Sequence, residues 1–306
     1  MTRTRDNIIS ASRRTDIPAW YTPWFLEQIR QKQFITVNPF TRKPKQVDVR
    51  PENTHSIVFW SKNYGPFLDL DAHKILGDMG FSLFFNFTVN SESLLLEPGL
   101  PGLDTRIAQA GMLADRFGPE AVAWRFDPIC FYTRGTRSVE NNLSDFLFIA
   151  DAMADLGITV CVTSFYDAYR KVGIRTRHLA ETGGPLICFT DPDPADKQLL
   201  LCDMAKQLEQ KRIRLHLCCE KNLFDKAKPG CANIFENACI NGPFLEKLYG
   251  GSPDTRRDSG QRAKKGCRCT RSIDIGSYQD HPCYHNCLFC YAHTEMDTRI
   301  KQGRLQ

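Results

Sequence analysis

No stretch of this 306-residue chain approaches the roughly 20 consecutive apolar residues that a membrane-spanning helix needs. The opening "MTRTRDNIIS" carries basic residues but no apolar run of signal-peptide length. A cytoplasmic protein with no membrane partner is therefore expected. The chain also lacks a glycine-rich phosphate loop after its first candidate strand, which argues against a dinucleotide-binding sheet. A strong charge imbalance is missing too: a net charge of +5 over this length does not by itself imply a nucleic-acid partner.

With 42% hydrophobic and 25% charged residues, the chain can bury a large core as one big domain or two small ones. Its 13 cysteines are an odd number, and in a reducing compartment they favour metal binding or redox chemistry over disulfides. Nine of the 13 fall between positions 218 and 290, so that chemistry is expected late in the chain.

Short apolar segments rich in β-branched and aromatic residues mark candidate strands at Ile8–Ser12, Ser56–Trp60, Ser82–Val89, Ala121–Phe126, Thr159–Phe165 and Ile213–Cys218, with a last strand-like segment at Ser272–Gly276. Helical patterns lie between them. Thr22 before Pro23 and Asp193 before Pro194 each set a capping oxygen ahead of a proline suited to the first helical position. From Ser138 to Leu156, the residues Leu143, Phe146, Leu147, Ala150 and Met153 recur at helical spacing, and Gly157 can close the helix. Alternation of this kind predicts an α/β fold, a partial or complete TIM-like β/α barrel with parallel strands and a C-terminal cysteine-rich loop. Residues 1–252 form the expected barrel body, and residues 253–306 a basic, cysteine-rich segment packing on its mouth.

In such folds ligands bind at the carboxyl ends of the strands, so the residues there become candidates. They are Arg13, Arg14, Thr15 and Asp16 after the first strand, and Ser61, Lys62 and Asn63 after the second. Asn86 and Thr88 lie in the third strand, Arg125 and Asp127 at the end of the fourth, Ser164 and Asp167 beyond the fifth, and Glu220 and Lys221 after the sixth. Arg125 and Asp127 share one face at alternate positions, where a buried pair needs both partners. A structural ion pair accounts for them as well as catalysis does. Polar residues at strand ends are, in addition, solvated by default.

The stretch "HPCYHNCLFCYAH" holds Cys283, Cys287 and Cys290 as C-x3-C-x2-C. Three thiolates on a loop leave one iron of a [4Fe–4S] cube without a protein ligand, which is the arrangement that radical enzymes use to bind S-adenosylmethionine. Phe289, immediately before the last cysteine, fits such loops. Zinc is the alternative, with His281, His285 or His293 completing four ligands. A second set, Cys219, Cys239, Cys267 and Cys269, is a candidate auxiliary metal or iron–sulfur site. Cys218 and Cys231 lie in the same region, and Cys130, Cys161, Cys188 and Cys202 read as small buried hydrophobes. The segment at 255–271, with seven Lys or Arg against one acid, is either a solvated loop or a phosphate-holding patch.

The segments "IISASRRTDIPAWYTPWF", "NPF", "IVFWSKN", "WRFDPI" and "GCRCTRSIDIGSYQDHPCYHNCLFCYA" together resemble the DUF1848 family, a domain of unknown function, over essentially the whole chain. The resemblance implies that Cys283, Cys287 and Cys290 form a motif similar to the iron–sulfur motif that radical S-adenosylmethionine proteins normally carry near their N-terminus. Here the array follows the last strand-like segment instead of the first, and no GGE-like motif follows the second strand to hold a methionine amino group.

Three functions follow as expectations. One is a radical enzyme in which Arg13, Arg14, Lys62 and Arg125 hold anionic groups of cofactor or substrate, and Asp16, Asp127 or Glu220 orient groups or move protons. It would act on a small-molecule or nucleotide-containing substrate and take electrons from a flavodoxin or ferredoxin. Another is a non-catalytic or redox-sensing iron–sulfur protein. The last is a zinc-containing nucleic-acid-binding protein that uses the basic segment.

Overall fold

The computed structural model describes residues 6–37, 43–136, 138–259 and 262–292. His293, one of the candidate zinc ligands, lies outside the described residues, as does the "NPF" segment at 38–40. Eight strands form one sheet: β1 (Asn7–Ala11), β2 (Thr54–Ser61), β3 (Leu83–Thr88), β4 (Val122–Ile129), β5 (Val160–Phe165), β6 (Arg214–Leu217), β7 (Ile234–Glu236) and β8 (Ile273–Asp274). Every pairing between them is parallel. The spatial order is β7-β6-β5-β4-β3-β2-β1-β8, so neighbours in sequence are neighbours in space and the last strand lies beside the first. Among the described residues, the pairings leave β7 and β8 as the two edges.

Both faces of the sheet are apolar, as parallel strands covered on both sides require. One face carries Ile9, Ile57, Phe59, Phe85, Trp124, Cys161, Leu215 and Ile234 into the main core, where buried residues of helices such as Leu103–Phe117, Phe146–Asp155 and Pro194–Gln210 meet them. The other face carries Ile8, Val58, Phe84 and Ala123 against Ile240 and Leu245, with Phe244, Leu248 and Tyr249 packed alongside. These last residues belong to or flank the helix Gly242–Tyr249, capped by the Asn241 side chain, which accepts from Phe244 N at 3.1 Å. Tyr249 Oη donates to Leu83 O at 2.5 Å, and His55 Nε2 lies 2.7 Å from Gly250 O, so this helix covers the amino ends of β2 and β3. The carboxyl ends are left for the site.

All six candidate strands and the strand-like segment Ser272–Gly276 coincide with strands of the sheet. β7, with only three residues, carries no sequence pattern of its own. Two further units were not expected: the hairpin Gln33–Val37 with Pro44–Asp48, and a small antiparallel sheet of Phe131–Arg134, Glu140–Asn141 and Ile187–Thr190. The small sheet shortens the helix expected from Ser138, which starts only at Phe146. Its buried face is Phe146, Ile149, Ala150 and Met153, while Leu147 is exposed; Gly157, at φ +73°, follows the C-cap as anticipated. Thr22 does not cap: its hydroxyl donates to Pro18 O at 2.9 Å, and Tyr21 takes the cap position. Asp193 does occupy the cap position before Pro194 but makes no side-chain cap bond. Cys130 and Cys161 are buried as expected, whereas Cys188 is exposed on the small sheet and Cys202 only half-buried. Among the described residues, no helix is long and apolar enough to cross a membrane.

The β1–β8 pairing is fastened by a carboxylate. Asp274 accepts from Ser10 Oγ (2.8 Å), Ser12 Oγ (2.6 Å), Arg13 N (3.0 Å) and Gly276 N (3.1 Å). A Cβ built on Gly276 would stand 2.2 Å from Ser12 Oγ, so the close approach of the two segments requires glycine there. Removing the carboxylate strands several donors. Asp274→Ala should lower stability by about 3 kcal/mol in a denaturant titration, and Asp274→Asn by less.

His73, on the helix Ala72–Asp78, is buried beside Phe117, with Asp71, Lys74 and Arg116 as its charged neighbours. Burial lowers its pKa below the ordinary histidine value and keeps it neutral in the fold. The unfolded chain then takes up the proton first, so this group costs stability as pH falls below about 6.5 and nothing above it. The loss in unfolding free energy between pH 7 and pH 5 should be smaller for His73→Phe than for the native chain. Equal losses would remove His73 from the account.

Candidate functional site

A cavity of about 270 Å³ opens at the carboxyl ends of the strands. Its walls take residues from after β1 (Ser12 to Asp16), from the ends of β2 to β5, from Cys218 after β6, from Cys239 after β7 and from the loop after β8. Of the seven residues given roles in the radical-enzyme expectation, six line it: Arg13, Arg14, Asp16, Lys62, Arg125 and Asp127. Glu220 does not. It sits at the N-cap of the helix Lys221–Ala227 and accepts from Phe165 N at 3.0 Å, tying β5 to β6, and burial raises its pKa.

Asp16 joins the pieces. Its carboxylate accepts from Ala19 N (3.0 Å), Ser61 Oγ (2.7 Å) and Lys62 N (2.9 Å), and His285 Nε2 lies 2.8 Å away. With both oxygens so engaged, it positions β2 and the cysteine loop. Lys62 pairs with Glu97 and lies 5.2 Å from the centroid of the Phe289 ring. Burial opposes its charge, but Glu97 and the sulfurs of Cys287 and Cys290 outweigh that and raise its pKa. Arg125 bonds Asp127 Oδ2 at 2.5 Å and Cys239 Sγ at 3.1 Å. Burial again opposes the charge, and Cys239 with Asp127 more than offsets it. Ser164 Oγ donates to Asp127 Oδ1 at 2.5 Å, and Asn90 accepts from Asp127 N at 2.8 Å, so the pair is held in place. Arg14 reaches Gly276 O (2.9 Å). Arg13 bonds Ser272 Oγ (2.7 Å) and lies over Trp60 (5.6 Å to the centroid), while its Nε and Nη1 are buried without a hydrogen-bond partner.

The loop carrying Cys283, Cys287 and Cys290 is clamped from beyond the strand ends of the sheet. Arg175, on the helix Arg170–Glu181, donates to the carbonyls of Cys287 (2.6 Å), Leu288 (2.9 Å) and Cys290 (2.6 Å). Leu288 is buried with Leu96, Cys130, Tyr132 and Ile187, and its N–H donates to Leu96 O at 2.8 Å. Gly99 lies against His285, where a Cβ would stand 2.7 Å from the carbonyl oxygen, and Asn286 takes the left-handed conformation (φ +55°) that asparagine tolerates. All three thiols face the cavity; burial pushes Cys283 and Cys287 well above the ordinary thiol range. Of the histidines offered for zinc, His285 has Nε2 on Asp16 and Nδ1 3.3 Å from Gly99 O, and His281 accepts from Ser277 N at 3.2 Å under Trp24.

The second set is also brought together, with one member the sequence reading left out. Cys218 Sγ lies 3.9 Å from Cys219 Sγ and 3.5 Å from Cys239 Sγ. Cys267 and Cys269 are buried in one cluster, against which Cys219 and Cys239 pack, so the five thiols gather in a loose ring. Contacts within the set draw Cys239 and Cys267 below the ordinary thiol pKa and push Cys218 and Cys269 above it.

The basic segment is largely committed to internal partners. Arg256 pairs with Asp254, Arg262 and Lys265 with Asp167, and Arg268 with Glu236, while Arg257 donates to Cys267 O at 2.9 Å. Most cations of the segment thus have an internal partner.

The donor chemistry of Cys283, Cys287 and Cys290 fits an iron–sulfur cluster: three thiols on one loop at a cavity wall, beside a lysine that offsets negative charge. Among the described residues, no three His, Cys, Asp or Glu side chains are placed to share a single metal ion. A cluster several ångströms across does not need the sulfurs to meet at one ion. Glu97, Arg175 and Cys218 escaped the sequence reading. Glu97 and Arg175 lie away from strand ends and no local pattern marks them; Cys218 was signalled only by its adjacency to Cys219. Arg175→Met should free the loop and speed maleimide labelling of the native protein, with the new adducts mapping to Cys287 and Cys290. Unchanged labelling would mean that the clamp is not what holds it.

The family model described as "Domain of unknown function (DUF1848)" matches residues 8–292, nearly the whole chain, and the chain belongs to that family. No curated protein matches it.

Proposed function

We propose that this chain is a cytoplasmic iron–sulfur enzyme of the radical S-adenosylmethionine type, with its cluster motif displaced to the end of a β/α barrel. The observation that carries the reading is the placement of Cys283, Cys287 and Cys290 on the wall of a cavity that also holds Arg13, Lys62 and Arg125. Barrel closure is part of the proposal. It is supported by the cyclic strand order and by the contacts across the open edge, where Thr270 N donates to Ile240 O at 2.9 Å and Ile240 N to Cys269 Sγ at 3.5 Å.

In this reading Cys283, Cys287 and Cys290 would hold a [4Fe–4S] cluster, and the chemistry it would supply when bound is one-electron reduction of S-adenosylmethionine. The chain's own residues do the rest. Arg13, with two buried N–H groups lacking partners, and Lys62 bind anionic groups of cofactor or substrate, and Arg14 fixes the wall behind them. Asp127, held by Arg125 and Ser164, is the carboxylate left to orient a substrate hydroxyl or amine. Asp16 keeps Lys62 and His285 in register, and Glu220 ties β5 to β6 behind the wall without reaching the cavity. A cavity of about 270 Å³ lies at the small end of the range for ligand pockets, which favours a small-molecule or nucleotide-containing substrate over a nucleic-acid duplex. Electrons would come from a flavodoxin or ferredoxin.

The test is anaerobic reconstitution with iron and sulfide, followed by dithionite and S-adenosylmethionine. The expected results are a change in the EPR spectrum of the reduced cluster when S-adenosylmethionine is added, and formation of 5′-deoxyadenosine. Cys287→Ala should lose both. A cluster whose spectrum ignores S-adenosylmethionine would leave a redox-sensing protein in place of the enzyme, and a colourless protein with stoichiometric zinc would overturn the iron reading.

A further inference from the structure

We propose that Cys218, Cys219, Cys239, Cys267 and Cys269 form a second metal centre, held by thiolates, on the wall of the same cavity. The proposal does not depend on what Cys283, Cys287 and Cys290 hold.

Three separate segments deliver the five thiols: the end of β6, the turn after β7 and the approach to β8. Simple packing would account for small apolar side chains here, since the ring adjoins Ile8, Val58, Phe84 and Ala123. Packing does not account for the donors aimed at sulfur. Arg125 Nη1 lies 3.1 Å from Cys239 Sγ, Asn237 Nδ2 lies 3.2 Å from it, and Ile240 N donates to Cys269 Sγ at 3.5 Å. A buried guanidinium on a neutral thiol gains little, whereas on a metal-bound thiolate it offsets charge.

The backbone points the same way. Successive residues of a strand face opposite sides, so Cys218 and Cys219 could not both join the ring from extended chain. Cys219 instead adopts φ +61°, a left-handed conformation costing on the order of 1–2 kcal/mol for a residue other than glycine, and the two sulfurs come within 3.9 Å. Cys267 and Cys269, two apart, reach one side together. An all-thiolate donor set selects soft metals, zinc or the iron of an iron–sulfur cluster, and rejects magnesium and calcium. Among the described residues no three of these side chains share a single-ion position, so a zinc ion would need side-chain rotation. Cys218 and Cys239 face the cavity, so this centre would border the substrate space directly.

The test uses the full-length chain with Cys283, Cys287 and Cys290 all replaced by Ala, which removes the first site. Purified without oxygen, it is offered ferrous iron with sulfide in one arm and zinc in the other, and bound metal, labile sulfide and native-state thiol reactivity are measured. Retained iron with matching sulfide identifies a cluster, retained stoichiometric zinc identifies a zinc site, and either supports the centre. A folded variant that keeps no metal in either arm and whose ring thiols react freely overturns it. Should this variant fail to fold, the complementary Cys239→Ala/Cys269→Ala chain with the loop intact decides. Its metal content must fall below that of the native chain, and an unchanged content overturns the proposal.

Discussion

The pairing of the last strand with the first is the constraint on which the site depends. β8 is two residues long and its ladder with β1 is correspondingly brief. What fixes it is the Asp274 carboxylate, which gathers two serine hydroxyls and two backbone N–H groups from both segments. Without that junction nothing would direct the following loop over the carboxyl ends of the strands. With it, His285 meets Asp16 and Tyr291 Oη reaches Arg13 O at 3.2 Å, so the end of the chain is stitched to its beginning at several points.

Charges inside the cavity are arranged as pairs, as burial demands. An unpaired buried cation costs several kcal/mol in desolvation, and the cost is offset only where a partner and further hydrogen bonds are present. Lys62 has Glu97, Arg125 has Asp127 and a sulfur, and each carboxylate is held by additional donors. Arg13 is less well matched: Asp274 is 3.9 Å away, and its Nε and Nη1 are left without a hydrogen-bond partner. Thr15 Oγ1, also on the cavity wall, is likewise buried without a partner, and together these groups mark where an external anion gains most.

Much of this was legible in the sequence because parallel strands buried on both faces announce themselves as apolar runs. Six strands and the eighth could be read off, as could the convergence of Arg13, Lys62, Arg125 and Asp127, since strand ends on one edge are placed by topology alone. The small antiparallel sheet and β7 escaped the reading; their strands run to only two to four residues. Leu147 was assigned to the wrong face because the preceding residues, which set the helix phase, are strand and turn. Glu97 and Arg175 act on the site from loop and helix positions fixed only by tertiary packing, and Glu220 faces away because it spends its carboxylate on Phe165 N. The thiol ring was read in four of its five members; the fifth depended on a backbone reversal at Cys219 that no residue type advertises.

The separation of 264 residues between Ser10 and its partner Asp274 has a consequence for biosynthesis. A ribosome extending the chain at about 5–20 residues per second needs on the order of 10–50 s between making the two. Through that interval β1 has one edge of hydrogen-bonding groups without a strand to pair, the kind of exposure that invites association with other chains. The cysteines of both sets lie in the last third of the chain and emerge late. Any metal they take up would therefore be loaded once the final strand has found the first.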